Sequence, residues 1–141
     1  MSQLTGEKIA LQLKRPGRCR LVYEILLQGE VIGEIELDQI AWRSGEAELK
    51  IEIFRPARQG QGYGTDAVNT LLGHAFGSMN LKRVYLRVHA ANRSAVRCYE
   101  KAGFRKEGRL ERCLGGSEPE EILLMEIGRT HFNKARPPEA V

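Results

Sequence analysis

Residues 46–76 read EAELKIEIFRPARQGQGYGTDAVNTLLGHAF, and the spacing of their apolar residues changes across a glycine-rich turn. Before the turn, Ala47, Leu49, Ile51 and Ile53 alternate with Glu46, Glu48, Lys50 and Glu52, the period of a half-buried strand. Pro56 ends that run, because it cannot continue a central strand. After the turn, Ala67, Val68, Leu71, Leu72, Ala75 and Phe76 recur at helical spacing and form a stripe along one helix face. The intervening RPARQGQGYGT, residues 55–65, carries Gly60, Gly62 and Gly64. Without a Cβ the backbone turns tightly there and comes close to a ligand. Successive N–H groups at a helix N-terminus then suit an anion such as a phosphate or pyrophosphate, although spacing alone fits a glycine turn without a ligand equally well. Other glycine loops fit poorly: GxGxxG needs glycine where Thr65 stands, and GxxxxGK[ST] has no match.

Working outward, the preceding half of the chain reads as strands. Ile9–Leu13, Cys19–Leu27 and Glu30–Ile40 alternate in the same way, with a Gln28-Gly29 turn suited to a tight hairpin. Downstream, Val84, Leu86 and Val88 return to period two. Asn92 can cap a second helix carrying Ala95, Val96, Tyr99 and Ala102, and Gly103 can stop it in the left-handed conformation. Phe104–Leu114 and Glu120–Ile127 form a final hairpin across Gly115-Gly116. The order predicts an α/β (α+β) domain: a two-layer mixed sheet of about seven strands, with two helices on one face. Right-handed crossovers put both helices on the same side. The charged alternate positions of Glu30–Ile40 and Glu46–Phe54 leave the other side uncovered. One domain over residues 1–128 and a flexible tail over 129–141 are expected.

At 141 residues the chain suits a single domain, and 22 Lys and Arg against 18 Asp and Glu leave a charge of +4. Hydrophobic residues at 42% and charged ones at 28% match a globular chain rather than a disordered one. The basic residues are dispersed, so the pI near 9.1 does not amount to a nucleic-acid stripe. No run is long enough for a membrane span or signal segment. Cys19, Cys98 and Cys113 lack CxxC spacing, which indicates neither a disulfide framework nor a metal site. A cytoplasmic protein with reduced thiols is expected.

Two motifs together are more specific than either alone. Gln59-Gly60-Gln61-Gly62-Tyr63-Gly64 resembles the Q/R-x-x-G-x-G/A turn of the GNAT superfamily of acetyl-CoA-dependent N-acetyltransferases. Asn92–Phe104, NRSAVRCYEKAGF, is similar to that family's N-x-x-A-x-x-x-Y-E-K-x-G-F segment. Arg105–Arg112 continues like the branch that acetylates ribosomal-protein N-termini. The resemblance implies acetyl transfer from acetyl-CoA, as donor substrate and without a metal, to a primary amine by direct attack in a ternary complex. The acceptor would be a protein N-terminus, a lysine or a small cationic amine. It implies that the CoA pyrophosphate rests on Gln59, Gly60, Gln61, Gly62, Tyr63 and Gly64, beside Arg58 and with Thr65 behind. The pantetheine arm would pair with Ile53, Phe54 and Arg55, and an N–H of Ile53 or Phe54 would hold the acetyl oxygen. Asn92 and Ala95 would line the arm's far side, and Tyr99 would protonate the departing sulfur.

A base must take the proton of an amine that is mostly charged at neutral pH. Glu48 and Glu52 are the candidates, set against a water relay and against a merely solvated strand face. Cys98 reads as a buried small hydrophobe rather than an acyl carrier. Most relatives carry two helices between their first two strands, and Lys14–Arg18 leaves no room for them. The acceptor therefore either docks on an open acidic face containing Glu34, Glu36, Glu48 and Glu52, or meets a second subunit in a homodimer. The expected partners are acetyl-CoA and an amine, with neither nucleic acid nor membrane. The rival reading is a silent CoA-binding module acting through partner contacts.

Overall fold

Alternating strand patterns produce a sheet with one buried face, and the helical stripes supply its cover. A computed structural model describes residues 3–55, 58–113, 115 and 118–135. In chain order these form β1 (Gln3–Thr5), β2 (Ala10–Pro16), β3 (Leu21–Leu27), β4 (Glu30–Ala41) and β5 (Glu46–Ile53). There follow α1 (Tyr63–Phe76), β6 (Arg83–His89), α2 (Arg93–Ala102), β7 (Arg105–Arg112), β8 (Glu120–Gly128) and α3 (Arg129–Ala135). The eight strands form one sheet in the order β1-β2-β3-β4-β5-β6-β8-β7. Only the β5–β6 pairing is parallel, while β6 and β7 both run antiparallel to β8.

The helices cover one face, where Leu11, Ile25, Ile35, Leu37, Leu49, Val84, Leu86 and Met125 meet Val68, Leu71, Leu72 and Ala75. Each of the Val, Leu, Ile and Met side chains among these contributes roughly 1.5–3 kcal/mol by leaving water. The opposite face carries the charges, and most are paired across strands. Lys14 bonds Glu34 at 2.7 Å, Arg20 bonds Glu36 at 2.7 Å, and Lys50 bonds Asp38 at 3.0 Å. Arg83 gathers Glu46, Glu107 and Glu126 while lying over the Tyr85 ring. These contacts are exposed or half-buried, and an exposed pair contributes at most about 1 kcal/mol. Their joint effect is to keep an uncovered sheet face soluble.

Two features depart from expectation. The strand count is eight, because the short β1 pairs with β2 through Leu4 and Leu11, too brief a run for alternation to reveal. The chain from 129 also begins with a helix: α3 buries Phe132, whose ring lies 5.3 Å from that of Phe76. A single anchoring aromatic in a short polar segment leaves no period to read. Residues 136–141 of the expected tail, and the Leu114, Gly116 and Ser117 part of the hairpin tip, lie outside the described residues.

Candidate active site

The parallel pairing of β5 with β6 is short. It joins Glu46, Ala47 and Glu48 to Arg83, Val84 and Tyr85 and then stops. Beyond that point the two strands part, and a cleft of about 750 Å³ opens between them. Its walls come from Glu52 and Ile53 on β5 with Phe54 just after it, and from Val88 and His89 on β6. The turn after β5 closes one end with Arg58, Gln59, Gly60, Gly62, Gly64 and Thr65. From α2 come Ala95, Cys98 and Tyr99, with Asn92 at its cap.

On a strand, successive residues send their backbone polar groups to opposite edges. Phe54 N–H donates to the Ile32 carbonyl on β4 at 2.9 Å. Its neighbour Ile53 therefore turns N–H and C=O toward the cleft. The Gln59 amide reaches that carbonyl from the cleft side, at 3.4 Å. Of the two backbone donors expected to face an acyl oxygen, Phe54 is thus corrected: its N–H is already committed to β4. Ile53 N–H remains, on the free edge where an extended arm could pair.

The expected cradle falls on the glycine turn, which opens α1. Gly62 caps α1 in the left-handed conformation, φ +85°, with no side-chain cap, and Gly60 is left-handed at φ +73°. The first N–H groups of α1 have no acceptor one turn earlier, so they point outward with the positive end of the helix dipole. A Cβ at Gly64 would meet Cys98 Sγ at 3.7 Å and Ile51 at 4.0 Å, ordinary contacts that suit a glycine-or-alanine position. The Thr65 hydroxyl donates to Cys98 Sγ at 3.3 Å and ties α1 to α2. Arg58, expected beside the anion, is held by Glu30 at 2.9 Å, with Arg55 also near Glu30 at 3.7 Å. Arg55, Gln61 and Tyr63 do not line the cleft; Tyr63 packs on the core instead.

On the opposite wall, the Asn92 carboxamide oxygen accepts from Ala95 N–H at 3.3 Å, which caps α2 and leaves its amide nitrogen for another acceptor. Tyr99 is 8% exposed and packs edge-on against Phe104, with ring centres 5.9 Å apart. Burial, and secondarily Cys98, push its phenol up to about 12, so it is a proton donor throughout the neutral range. Burial also pushes the Cys98 thiol up. Any thiolate formed in this cleft meets the same desolvation.

The two candidate bases separate. Glu52 is exposed and lines the cleft. Glu48 is 4% exposed, and its carboxylate accepts from Arg87 at 2.9 and 3.4 Å. It does not reach the cleft wall; Arg87 does. The acidic face expected to attract amines is likewise corrected, since Glu34, Glu36 and Glu48 each hold a cation. What alternation alone did not reveal is register. Glu24 on β3, Glu34 on β4 and Glu52 on β5 stand directly across from one another. Like charges opposite one another at ~5 Å destabilise a sheet. Only Glu34 of the three has an ion pair among the described residues, with Lys14.

The chain is also similar to known proteins. Spermidine N(1)-acetyltransferase of Vibrio cholerae is 39% identical over 83 residues, 59% of this chain and 47% of that protein. The same enzyme of Escherichia coli K12 is 38% identical over 82 residues, 58% of this chain and 44% of that protein. The chain therefore spans about half the length of the curated relatives it matches. Among solved structures, Vibrio cholerae spermidine N-acetyltransferase in complex with CoA and spermine superposes with a TM-score of 0.74 at 29% identity. That match covers 82% of this chain and 69% of the other. The expected kinship with ribosomal-protein acetyltransferases is corrected toward spermidine N-acetyltransferases. Residues 3–105 match the acetyltransferase (GNAT) domain, and the chain belongs to that family.

Proposed function

We propose that the chain transfers an acetyl group from acetyl-CoA to a small polycationic amine of the spermidine type. The observation that carries this reading is the parting of β5 from β6, which turns the free edge of Ile53 toward Asn92 and the buried Tyr99. The pantetheine arm pairs with that edge, and the pyrophosphate rests on the N–H groups at the start of α1. The amine nitrogen attacks the thioester carbon, forming a C–N bond while the carbonyl oxygen takes the negative charge beside Ile53 N–H. Collapse of this tetrahedral species breaks the C–S bond, and Tyr99 gives its proton to the sulfur. The proton lost by the amine goes to Glu52 directly or through water. Glu48 acts at one remove, anchoring Arg87 at the cleft wall.

The acceptor class is supported by Glu52 at the cleft wall and by Glu24 and Glu34 in register with it, of which only Glu34 is neutralised, by Lys14. Ammonium groups a few methylenes apart relieve the repulsion between carboxylates on neighbouring strands. The relatives named for spermidine support the same class. Thiol release from acetyl-CoA, measured with spermidine, spermine, a simple monoamine and an N-terminal peptide, tests the reading. The polyamines are expected to be the best acceptors. Glu52→Gln should lower kcat/KM for spermidine by about tenfold while leaving KM for acetyl-CoA in place. A peptide preferred over every polyamine would overturn the acceptor class. Binding of acetyl-CoA with no release on any amine would favour a silent CoA-binding module.

A further inference from the structure

The hairpin joining β1 to β2 has a tip, Gly6–Ile9, that is fastened to α1. Gly6 N–H donates to the Ile9 carbonyl at 2.8 Å and closes the turn. The Asp66 carboxylate, in the first turn of α1, accepts from the N–H groups of Glu7 at 3.0 Å, Lys8 at 2.7 Å and Ile9 at 3.0 Å. Three peptide donors on one carboxylate make a firm clasp, because hydrogen bonds to a charged acceptor are the strong ones. The clasp also fits closely: a Cβ on Gly6 would stand 2.6 Å from both Asp66 Oδ2 and Thr70 Oγ1.

The consequence is the position of Lys8. Its ammonium donates to the Gln61 carbonyl at 3.2 Å, and a Cβ on Gly62 would lie 2.8 Å from it. A positive charge is thus delivered to the N-cap of α1 from a hairpin more than fifty residues away in sequence. Arg55 and Arg58, the cations of the turn itself, are engaged by Glu30. Lys8 has no carboxylate within ion-pair distance among the described residues, and one bond to Gln61 leaves two of its three donors.

Resting on the reading of this cleft as the acetyl-CoA site, we propose that Lys8 is a ligand of the donor's diphosphate, held in place by the Asp66 clasp. The backbone cradle would then be completed by a side chain from outside the glycine motif. Calorimetric titration of the full chain with CoA, with dephospho-CoA and with S-acetylpantetheine tests this. Lys8→Ala should weaken CoA and dephospho-CoA alike, by about tenfold, and leave the phosphate-free ligand unchanged. Lys8→Gln, which keeps a donor for Gln61 without the charge, should show the same loss, and Lys8→Arg should recover most of it. Equal weakening of S-acetylpantetheine, or no weakening of CoA, would overturn the proposal. Weakening of CoA with dephospho-CoA unaffected would also overturn it, by moving Lys8 to the 3′-phosphate. A wild-type chain that binds no CoA would instead remove the reading of the cleft on which the proposal stands.

Discussion

Replacing Tyr99 by Phe is expected to lower kcat by about a hundredfold, near the lower end of what a positioned general acid contributes, with KM for acetyl-CoA nearly unchanged. The substitution removes one hydroxyl and keeps the ring, so the edge contact with Phe104 survives and the fold should not move. A phenol at about 12 is a weak acid for a thiol in water, but in the proposed mechanism a thiolate leaving beside Tyr99 would be disfavoured by the same burial. The rise of the neighbouring Cys98 thiol shows the direction of that effect. The charge therefore has nowhere comfortable to reside unless the sulfur receives a proton. The pH profile follows. Tyr99 stays protonated up to about pH 10, so it contributes no alkaline loss below that point, and the rate should climb as the acceptor amine loses its proton. Tyr99 also favours the folded state below its ordinary pKa, and that contribution disappears as pH rises toward about 12. Stopped-flow thiol release between pH 6 and pH 10 checks the first point. Unaltered kcat in Tyr99→Phe would remove the phenol from the mechanism.

Gly33→Ala is expected to destabilise the fold by about 3 kcal/mol, which for a chain of this size lowers Tm by about 10 °C. A Cβ at Gly33 would stand 2.2 Å from the Glu52 carbonyl oxygen and 3.1 Å from Ile53 Cα. Neither is a flexible side chain, so β4 must move off β5. Gly33 faces Ile53 in the sheet, beside an irregularity in the β3–β4 pairing, so the displaced backbone belongs to the donor edge itself. Weaker acetyl-CoA binding should accompany the loss of stability. Gly29→Ala is the control. That glycine is left-handed at φ +85° with no atom within 4 Å of a built Cβ, so only the local conformational penalty of about 1–2 kcal/mol applies. Thermal melts of the two variants separate crowding from backbone strain. A Gly33→Ala melt within a degree or two of wild type would contradict the close β4–β5 packing.

The sheet and its two main helices were legible because period and punctuation agreed. Ala47, Leu49, Ile51 and Ile53 alternate cleanly, α1 buries the stripe from Ala67 to Phe76, and Gly103 stops α2 with φ +106°. β1 is only three residues long and α3 buries a single aromatic, so neither leaves a periodic trace. At the site, the glycine turn, Asn92 and Tyr99 were visible as residue types at recognisable spacing. Three things were not. Strand direction gives Ile53 rather than Phe54 the free N–H. Register aligns Glu24 with Glu34 and Glu52, and tertiary packing brings Lys8 to Gly62. None of these is a local property of the sequence. Charge pattern misled for a related reason: Glu48 looks like its neighbours on the strand but lies beneath Arg87.

The proposed pairing of the donor's arm with the free edge of β5 is reported directly by two adjacent amides. Hydrogen exchange followed by NMR, with and without CoA, reads Ile53 and Phe54 separately. The Ile53 amide should exchange quickly in the free protein and be slowed strongly by CoA, while the Phe54 amide, already bonded to Ile32, should barely respond. CoA that stabilises the protein yet leaves Ile53 exchange unchanged would contradict the placement of the arm, and with it the site described above.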